Sequence, residues 1–416
     1  MLELNESDEA LLAGEDGPAG ALAMRMVAAV AQAMRAPRLL DITGAHIDGC
    51  IHYGDVCLDW ANRFRELGAR VRVPTTLNVG LLDLLHPGLT DLPAERARPA
   101  RALMEAYVEL GAQPTFTCAP YQLEVARPGL GEHVAWAESN AIVFANSVLG
   151  ARTNRYGDFC DIACAVTGRA PAAGLHLTEQ RRARVVLDVS GLSEAVLASD
   201  VLYPVLGLVL GRVAGDRVAA IDGLPPGVHE DRLKAIGASA ASSGAVGMFH
   251  AVGSTPEAAT LADALQGEPP ERVVAVTPAD LRAARDSLQT ARPGAALDGV
   301  AVGTPHASAD ELRRLAAALD GERVRIPLWV NTARDVLAGA GVEAALREAG
   351  VQIVVDTCTY VAPVVSSVRG TIMTSSGKWA YYAPGNLGVD VAFGSLEECA
   401  RSAVAGAIVR DDGFWA

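Results

Sequence analysis

The chain has 416 residues, 50% of them hydrophobic and only 5% aromatic, with a formal net charge of −14. That length supports a large core and two or three domains, and the shortage of aromatics requires packing through small and aliphatic side chains. The acidic balance, with a pI near 5.1, repels phosphodiester backbones, and no Lys/Arg-rich run interleaved with aromatics offsets it, so nucleic acid is not an expected partner.

The acidic amino terminus lacks a basic and an apolar signal region, which gives a cytoplasmic expectation. Residues 1–37 read as two helical pieces, the second over 18–34, followed by a strand over 38–42. Residues 43–50, TGAHIDGC, read as a polar, Gly-rich loop. A helix over 56–67 leads to a strand over 69–73 and the stretch PTTLNVG. A helix over 93–110 and a short strand over 114–117 deliver Cys118. Behind it, a helix-like segment sets His133, Trp136, Glu138, Asn140 and Asn146 among alanines and valines. In a regular helical register His133 and Glu138 fall on opposite faces, which makes them poor catalytic partners.

The pattern resumes with strands over 185–189 and 217–221 around an apolar helix over 201–215. Its apolar run, 201–210, stops at Gly211-Arg212, far short of the roughly 20 residues of a membrane span. Gly207, Gly211 and Gly215 recur every four residues, which suits close approach of a neighbouring backbone. The small, Gly-rich stretch 238–253 lacks P-loop and dinucleotide spacing and reads as close packing. The last third alternates strands over 299–303, 326–330 and 351–355 with helices over 309–319 and 333–349. Near-continuous apolar strands alternating with helices indicate an α/β fold of parallel sheets, with ligands beyond the carboxyl ends of the strands. Domain boundaries are expected near 180 and 290, giving segments 1–180, 181–290 and 291–416.

The seven cysteines are odd in number and scattered, which is no disulfide framework. Cys118 and Cys358 each end an expected strand, and Cys50 lies in the Gly-containing loop after another. Three thiolates converging from strand ends would suit an iron–sulfur cluster or another soft metal; three small buried residues are the alternative. Lys378, in the expected loop TSSGKWAYY, has either an anion to neutralise or an ordinary surface position. Asp41, His46, Asp48 and His306 serve equally as acid/base groups or as turn caps. The absence of Gly-x-Ser-x-Gly, His-Glu-x-x-His and Walker A motifs removes several hydrolase and nucleotide-triphosphatase readings.

The stretches GAHIDGC, RVPTTLNVG, TFTCAPYQ, GEHVAWAESNAIVFANSVLGARTNR, SSGAVGMFHAVG, VGTPH, DTC and SSGKWAYYAPG lie in one order over nearly the whole chain. In this they resemble the large, catalytic part of the aconitase X family. The resemblance implies an aconitase-like, multi-domain α/β/α architecture around an iron–sulfur cluster or a single iron. It also implies a small swivelling domain, fused in some members and separate in others; here a separate subunit carrying the catalytic serine is expected. Two activities divide the family: dehydration of cis-3-hydroxy-L-proline to Δ1-pyrroline-2-carboxylate, and dehydration of mevalonate 5-phosphate. Where the second branch has Gly-Cys-Pro-His, this chain has Gly303-Thr304-Pro305-His306, and it has Cys50 where that branch carries Gly-Val-Ser. The pattern resembles the bacterial hydroxyproline branch.

By the same resemblance, Cys50, Cys118 and Cys358 are the expected metal ligands. Lys378 is the expected catalytic group that orients and neutralises the carboxylate of a small hydroxy acid, with Gly49, Asn78, Val79, Asn140 and Thr304 also binding substrate. A non-catalytic iron or redox sensor and a zinc hydrolase are the competing classes.

Overall fold

The computed structural model describes residues 2–361 and 370–411; positions 362–369 and 412–416 of the expected third segment lie outside the described residues. The chain divides into two compact units, Met1–Leu82 with Leu92–Arg182, and Asp83–Asp91 with Ala183–Ala416.

The first unit contains helices α1 (Glu6–Ala13), α2 (Gly17–Ala33), α3 (Asp55–Glu66), α4 (Ala94–Glu109), α5 (Ser139–Phe144) and α6 (Cys160–Thr167). Its strands are β1 (Leu39–Asp41), β2 (Gly44–Ile47), β3 (Thr75–Leu77), β4 (Val134–Trp136) and β5 (Arg169–Pro171). β2 lies between β3 and β4 in a parallel sheet, whereas β1 pairs antiparallel with β5. Small residues do the packing that the composition demanded. α2 buries Ala19, Gly20, Ala23 and Ala31 around Met24 and Val27, and it packs on α6, which buries Ala163, Cys164 and Ala165.

Four expectations for this unit are corrected. Residues 43–50 are not all loop, because Ala45 and Ile47 are buried and Gly44–Ile47 forms the central strand. Residues 69–73 are not a strand: the amides of Ala69, Val71 and Arg72 bond to Phe64, Leu110 and Ala165, three separate segments, so no ladder forms. The strand is the following Thr75–Leu77. Residues 114–117 form no strand either. The Thr115 hydroxyl accepts from the Leu77 amide at 2.9 Å and donates to its carbonyl at 3.1 Å, a side chain taking the place of ladder bonds. The supposed polar helix behind Cys118 is strand β4 followed by α5 and a π-helical turn, Ala145–Leu149.

The second unit contains two parallel sheets, each built by strand-helix alternation. The first, in order β8-β7-β6-β9, uses β6 (Val185–Asp188), β7 (Ala219–Asp222), β8 (Phe249–Ala251) and β9 (Arg272–Ala275). Its helices are α7 (Glu194–Ala198), α8 (Leu202–Ala214), α9 (Glu230–Ser243), α10 (Leu261–Ala264) and α11 (Pro278–Leu288). The second, in order β12-β11-β10-β13-β14, uses β10 (Gly299–Ala307), β11 (Leu328–Thr332), β12 (Gln352–Val354), β13 (Thr371–Thr374) and β14 (Asp390–Phe393). With it run α12 (Ala309–Leu319), α13 (Arg334–Ala340), α14 (Glu343–Glu348), α15 (Gly377–Leu387) and α16 (Leu396–Ala405).

The expected parallel α/β class holds, and the glycine stripe has its cause. A Cβ at Gly207 would stand 2.3 Å from the Ile236 carbonyl oxygen, and one at Gly211 would stand 2.7 Å from that of Ala240, so the glycines let α8 lie against α9. Gly215 departs from the stripe and caps α8 at φ 65°. The single helix expected over 333–349 is two, α13 and α14, because Gly341 takes φ 73° and ends the first in the left-handed region. Among the described residues no helix is long and apolar enough to cross a membrane.

Candidate functional site

In the first unit, the carboxyl ends of β2, β3 and β4 lie side by side and release Asp48-Gly49-Cys50, Asn78-Val79 and Glu138-Ser139-Asn140. The Asn78 amide group donates to the Asp48 carboxylate. The Asn140 amide group donates to the Cys118 carbonyl at 2.9 Å and to Glu138, while its own carbonyl accepts from the Tyr121 hydroxyl at 2.7 Å. The Glu138 carboxylate also accepts from the Ala141 amide at 2.8 Å, capping α5. Cys118 is thus set beside Asn140 by an irregular segment rather than by a strand. Gly49 is buried, and a Cβ there would meet the Tyr107 hydroxyl at 3.1 Å.

Carboxylates accumulate here. The Asp48 amide donates to the Asp161 carboxylate of α6 at 2.8 Å. Desolvation, then repulsion from Glu138 and Asp158, raises Asp48 to about 8, and desolvation raises Asp161 to about 8. Cys50 is fully buried, and its thiol is pushed well above the usual range by burial and by Asp161, Asp48 and Asp158. A bound cation opposes both effects, and the buried Asn78 carbonyl oxygen has no hydrogen-bond partner among the described residues. The donor types suit a metal, although among the described residues no three His, Cys, Asp or Glu side chains are already gathered as a metal-holding group.

In the second unit the carboxyl ends of β10 to β13 supply the expected residues. Gly303 takes φ 78°, and a Cβ there would stand 2.2 Å from the Asn331 carbonyl oxygen, so glycine alone suits the register shift after Val302. The shift carries the Thr304 hydroxyl to 3.5 Å from the Cys358 sulfur. Asn331 holds the group together. Its amide group donates to the Val302 carbonyl at 3.0 Å, Thr304 at 3.2 Å and Thr359 at 3.1 Å, and its carbonyl accepts from the Thr359 amide at 3.1 Å. The Trp379 indole donates to Thr359 at 3.1 Å. Cys358 is buried, and the buried Thr357 hydroxyl beside it has no hydrogen-bond partner among the described residues.

Lys378 is not on a loop. It lies in the first turn of α15, buried, after Ser376, whose hydroxyl accepts from the Trp379 amide at 3.0 Å and donates to the Thr304 carbonyl. The helix N-terminus adds partial positive charge to that of the ammonium.

Other expected candidates serve the fold. His133 and Glu138 flank β4 and are not on one helix; His133 shares a 2.9 Å contact with His176. Asn146 clamps Thr153 and Arg181, and Asp41 pairs with Arg169 on the β1–β5 ribbon. His46 bonds Thr76 at 2.8 Å and is depressed to about 3 by burial. His306 bonds the Thr357 carbonyl at 3.1 Å and is depressed to about 4, chiefly by burial, with the charges of Lys234 and Lys378 adding to it. Both histidines stay neutral near pH 7 and are poor bases.

A titration consequence follows for His306. Its folded value lies below the unfolded 6.5, so its contribution is intact above that pH and is lost as pH falls toward 4. Between pH 6.5 and 5 the loss is about 2 kcal/mol. Asp48 and Asp161, raised in the fold, act in the opposite sense. Urea unfolding at pH 7 and pH 5 should therefore show a change in stability on acidification that is about 2 kcal/mol more favourable in His306→Gln than in the parent; an unchanged difference would exclude His306.

Sequence reasoning missed Asn331, Thr359, Ser376 and Asp161. Asn331 had a signal, since it directly follows the apolar run expected as a strand over 326–330, although the strand observed, Leu328–Thr332, includes it. Asp161 had none, because an acid in the first turn of a helix reads as an ordinary partner of the helix dipole.

The chain is similar to known proteins over nearly its whole length. Family descriptions match in three segments: "Aconitase X first domain" over residues 1–179, "Aconitase X second domain" over 183–286 and "Aconitase X third domain" over 297–405. The chain is 47% identical to the cis-3-hydroxy-L-proline dehydratase of Pseudomonas aeruginosa, over 97% of this chain and 70% of that protein. It is 41% identical to the protein of the same name from Hypocrea jecorina, over 97% and 69% respectively. Identity to the phosphomevalonate dehydratase large subunit of Methanothermobacter thermautotrophicus is 36%, over 94% of this chain and 96% of that one. The crystal structure of Thermococcus kodakaraensis aconitase X in its holo form superposes with a TM-score of 0.86 at 32% identity, covering 96% of this chain and 100% of that chain.

Proposed function

The chain belongs to the aconitase X family, and from that premise we propose that it is the large subunit of a hydro-lyase converting cis-3-hydroxy-L-proline to Δ1-pyrroline-2-carboxylate. The observation that carries this reading is the greater identity to the two proteins named for that reaction than to the phosphomevalonate dehydratase large subunit. Thr304 supports it, standing where the resemblance places a cysteine in the phosphomevalonate branch.

The chemistry has two demands: a weakly acidic α-proton must leave, and so must hydroxide. An iron–sulfur cluster or a single iron held by Cys50, Cys118 and Cys358 would supply the Lewis acidity that makes hydroxide a tolerable leaving group. The remaining work belongs to side chains. The Lys378 ammonium, reinforced by the start of α15, neutralises the substrate carboxylate and the charge that grows on it as the α-proton departs. The Asn78 amide group, oriented by Asp48, and the remaining lone pair of the Asn140 carbonyl, oriented by Tyr121 with Glu138, fix the substrate. Gly49 and Val79 present backbone at the same strand ends, and Thr304 offers a hydroxyl held by Asn331.

No base suits the α-proton among His46 and His306, both neutral but too weak, and we assign that role to a serine of a small-subunit partner. The name of the phosphomevalonate relative, a large subunit, supports such a partner. The near-complete coverage of that relative by this chain also keeps mevalonate 5-phosphate as a second reading.

The test is a mass-spectrometric assay of both substrates with iron-loaded chain, alone and with its small subunit. Conversion of the hydroxyproline only by the pair is expected. Full-rate turnover by the chain alone removes the partner serine, and turnover of mevalonate 5-phosphate in place of the hydroxyproline reverses the substrate assignment.

A further inference from the structure

Of the four thiols outside the site described above, two share one helix. Cys160 is the first residue of α6 and partly exposed, and Cys164, one turn on, is fully buried. Positions four apart share a helix face, with Cβ atoms about 5–6 Å apart. The neighbouring Cys164 thiol lowers that of Cys160 from its ordinary value, while Cys160 and burial raise that of Cys164. The arrangement is asymmetric: the first sulfur is partly exposed and the more readily ionised of the two, and the second is shielded on the same helix face. An attacking and a resolving cysteine need that division of labour.

We propose that Cys160 and Cys164 are a redox-active dithiol that hydroperoxides convert to a disulfide within α6, and that this oxidation loosens the Asp48–Cys50 turn through Asp161. The Cys160 thiolate attacks one peroxide oxygen, the O–O bond breaks, and the departing oxygen leaves as hydroxide or alkoxide and takes a proton. The Cys164 sulfur then attacks the sulfenic sulfur, forming the S–S bond and releasing water. The peroxide gains two electrons and the two thiols lose them.

A disulfide needs Cβ atoms about 3.5–4.5 Å apart, so the first turn of α6 must tighten by about 1 Å or more. Asp161 is the next residue after Cys160, it is fully buried, and its carboxylate accepts the Asp48 amide at 2.8 Å. Movement of that turn therefore reaches the segment that carries Gly49 and Cys50.

The full chain is treated with equimolar hydrogen peroxide, alkylated, and digested with trypsin without reductant. Peptide 156–169 contains both cysteines and no other. It should appear two hydrogens lighter and unalkylated, and revert with dithiothreitol. In Cys160→Ser, Cys164 should remain alkylatable after the same treatment; in Cys164→Ala, dimedone should trap a sulfenic acid at Cys160. Hydrogen exchange of the peptide containing the Asp48 amide should quicken about tenfold in the oxidised parent and stay unchanged in Cys160→Ser. Two alkylated cysteines after peroxide, or oxidation that stops at Cys160 in the parent, would overturn the dithiol. Unchanged exchange at Asp48 despite a formed disulfide would overturn its link to the turn.

Discussion

Cys358→Ser is expected to lower hydroxyproline dehydration by roughly a thousandfold, because a Lewis acid contributes several kcal/mol and serine is a poor ligand for iron. The local structure should survive. The sulfur is buried in the segment that follows β12, and a hydroxyl can share the contact with Thr304, itself held by Asn331. Iron content and visible absorbance should fall with activity, and Cys118→Ser should behave alike. Cys399→Ser is the control: that thiol is equally buried, but on α16 and away from any strand end, so iron should be retained. Cys50→Ser decides the third ligand. Loss of iron supports its assignment, and unchanged iron moves Cys50 to a purely structural role.

Lys378→Met should reduce kcat/KM by roughly a hundredfold or more, the usual loss when a charge-assisted contact to a buried carboxylate is removed. Much of the loss should appear in kcat if the ammonium chiefly stabilises charge that develops as the α-proton leaves. A purely structural lysine would leave both constants near those of the parent once the protein is folded. A second readout separates a lost charge from a collapsed site. The Lys378 charge is among the causes that depress His306, so the His306 titration should move upward from about 4 in the variant. A titration that stays in place while activity falls would mean that Lys378 is not the source of that field.

Much of the architecture was legible because buried parallel strands must be continuous apolar runs. Val185–Asp188 and Leu328–Thr332 lie close to the expected positions, and α12 coincides with its expected span. The first unit was harder. Its strands are three or four residues long and contain His46, Thr75 and Thr76: His46 and Thr76 bond each other across the sheet, and Thr75 bonds the Val73 carbonyl beside it. Such strands carry no alternation to read, so β2 passed for a loop and β4 for part of a helix. The helical position of Lys378 was missed for a related reason. Ser376 caps α15, but Gly377 and Pro384 within it mimic loop composition.

The sequence by itself determined the alternation of strands and helices and the family, since these depend on local composition and on motif order, and motif order alone made Cys118, Cys358, Thr304 and Lys378 candidates. Only the tertiary structure decided what holds them. Asn331 reaches Thr304 and Thr359 across neighbouring strands once Gly303 has shifted the register, and Asp161 secures the Asp48 turn from a helix 113 positions away. Hydrogen bonds between distant segments leave no periodic trace in the chain, because their geometry exists only after the sheets have formed.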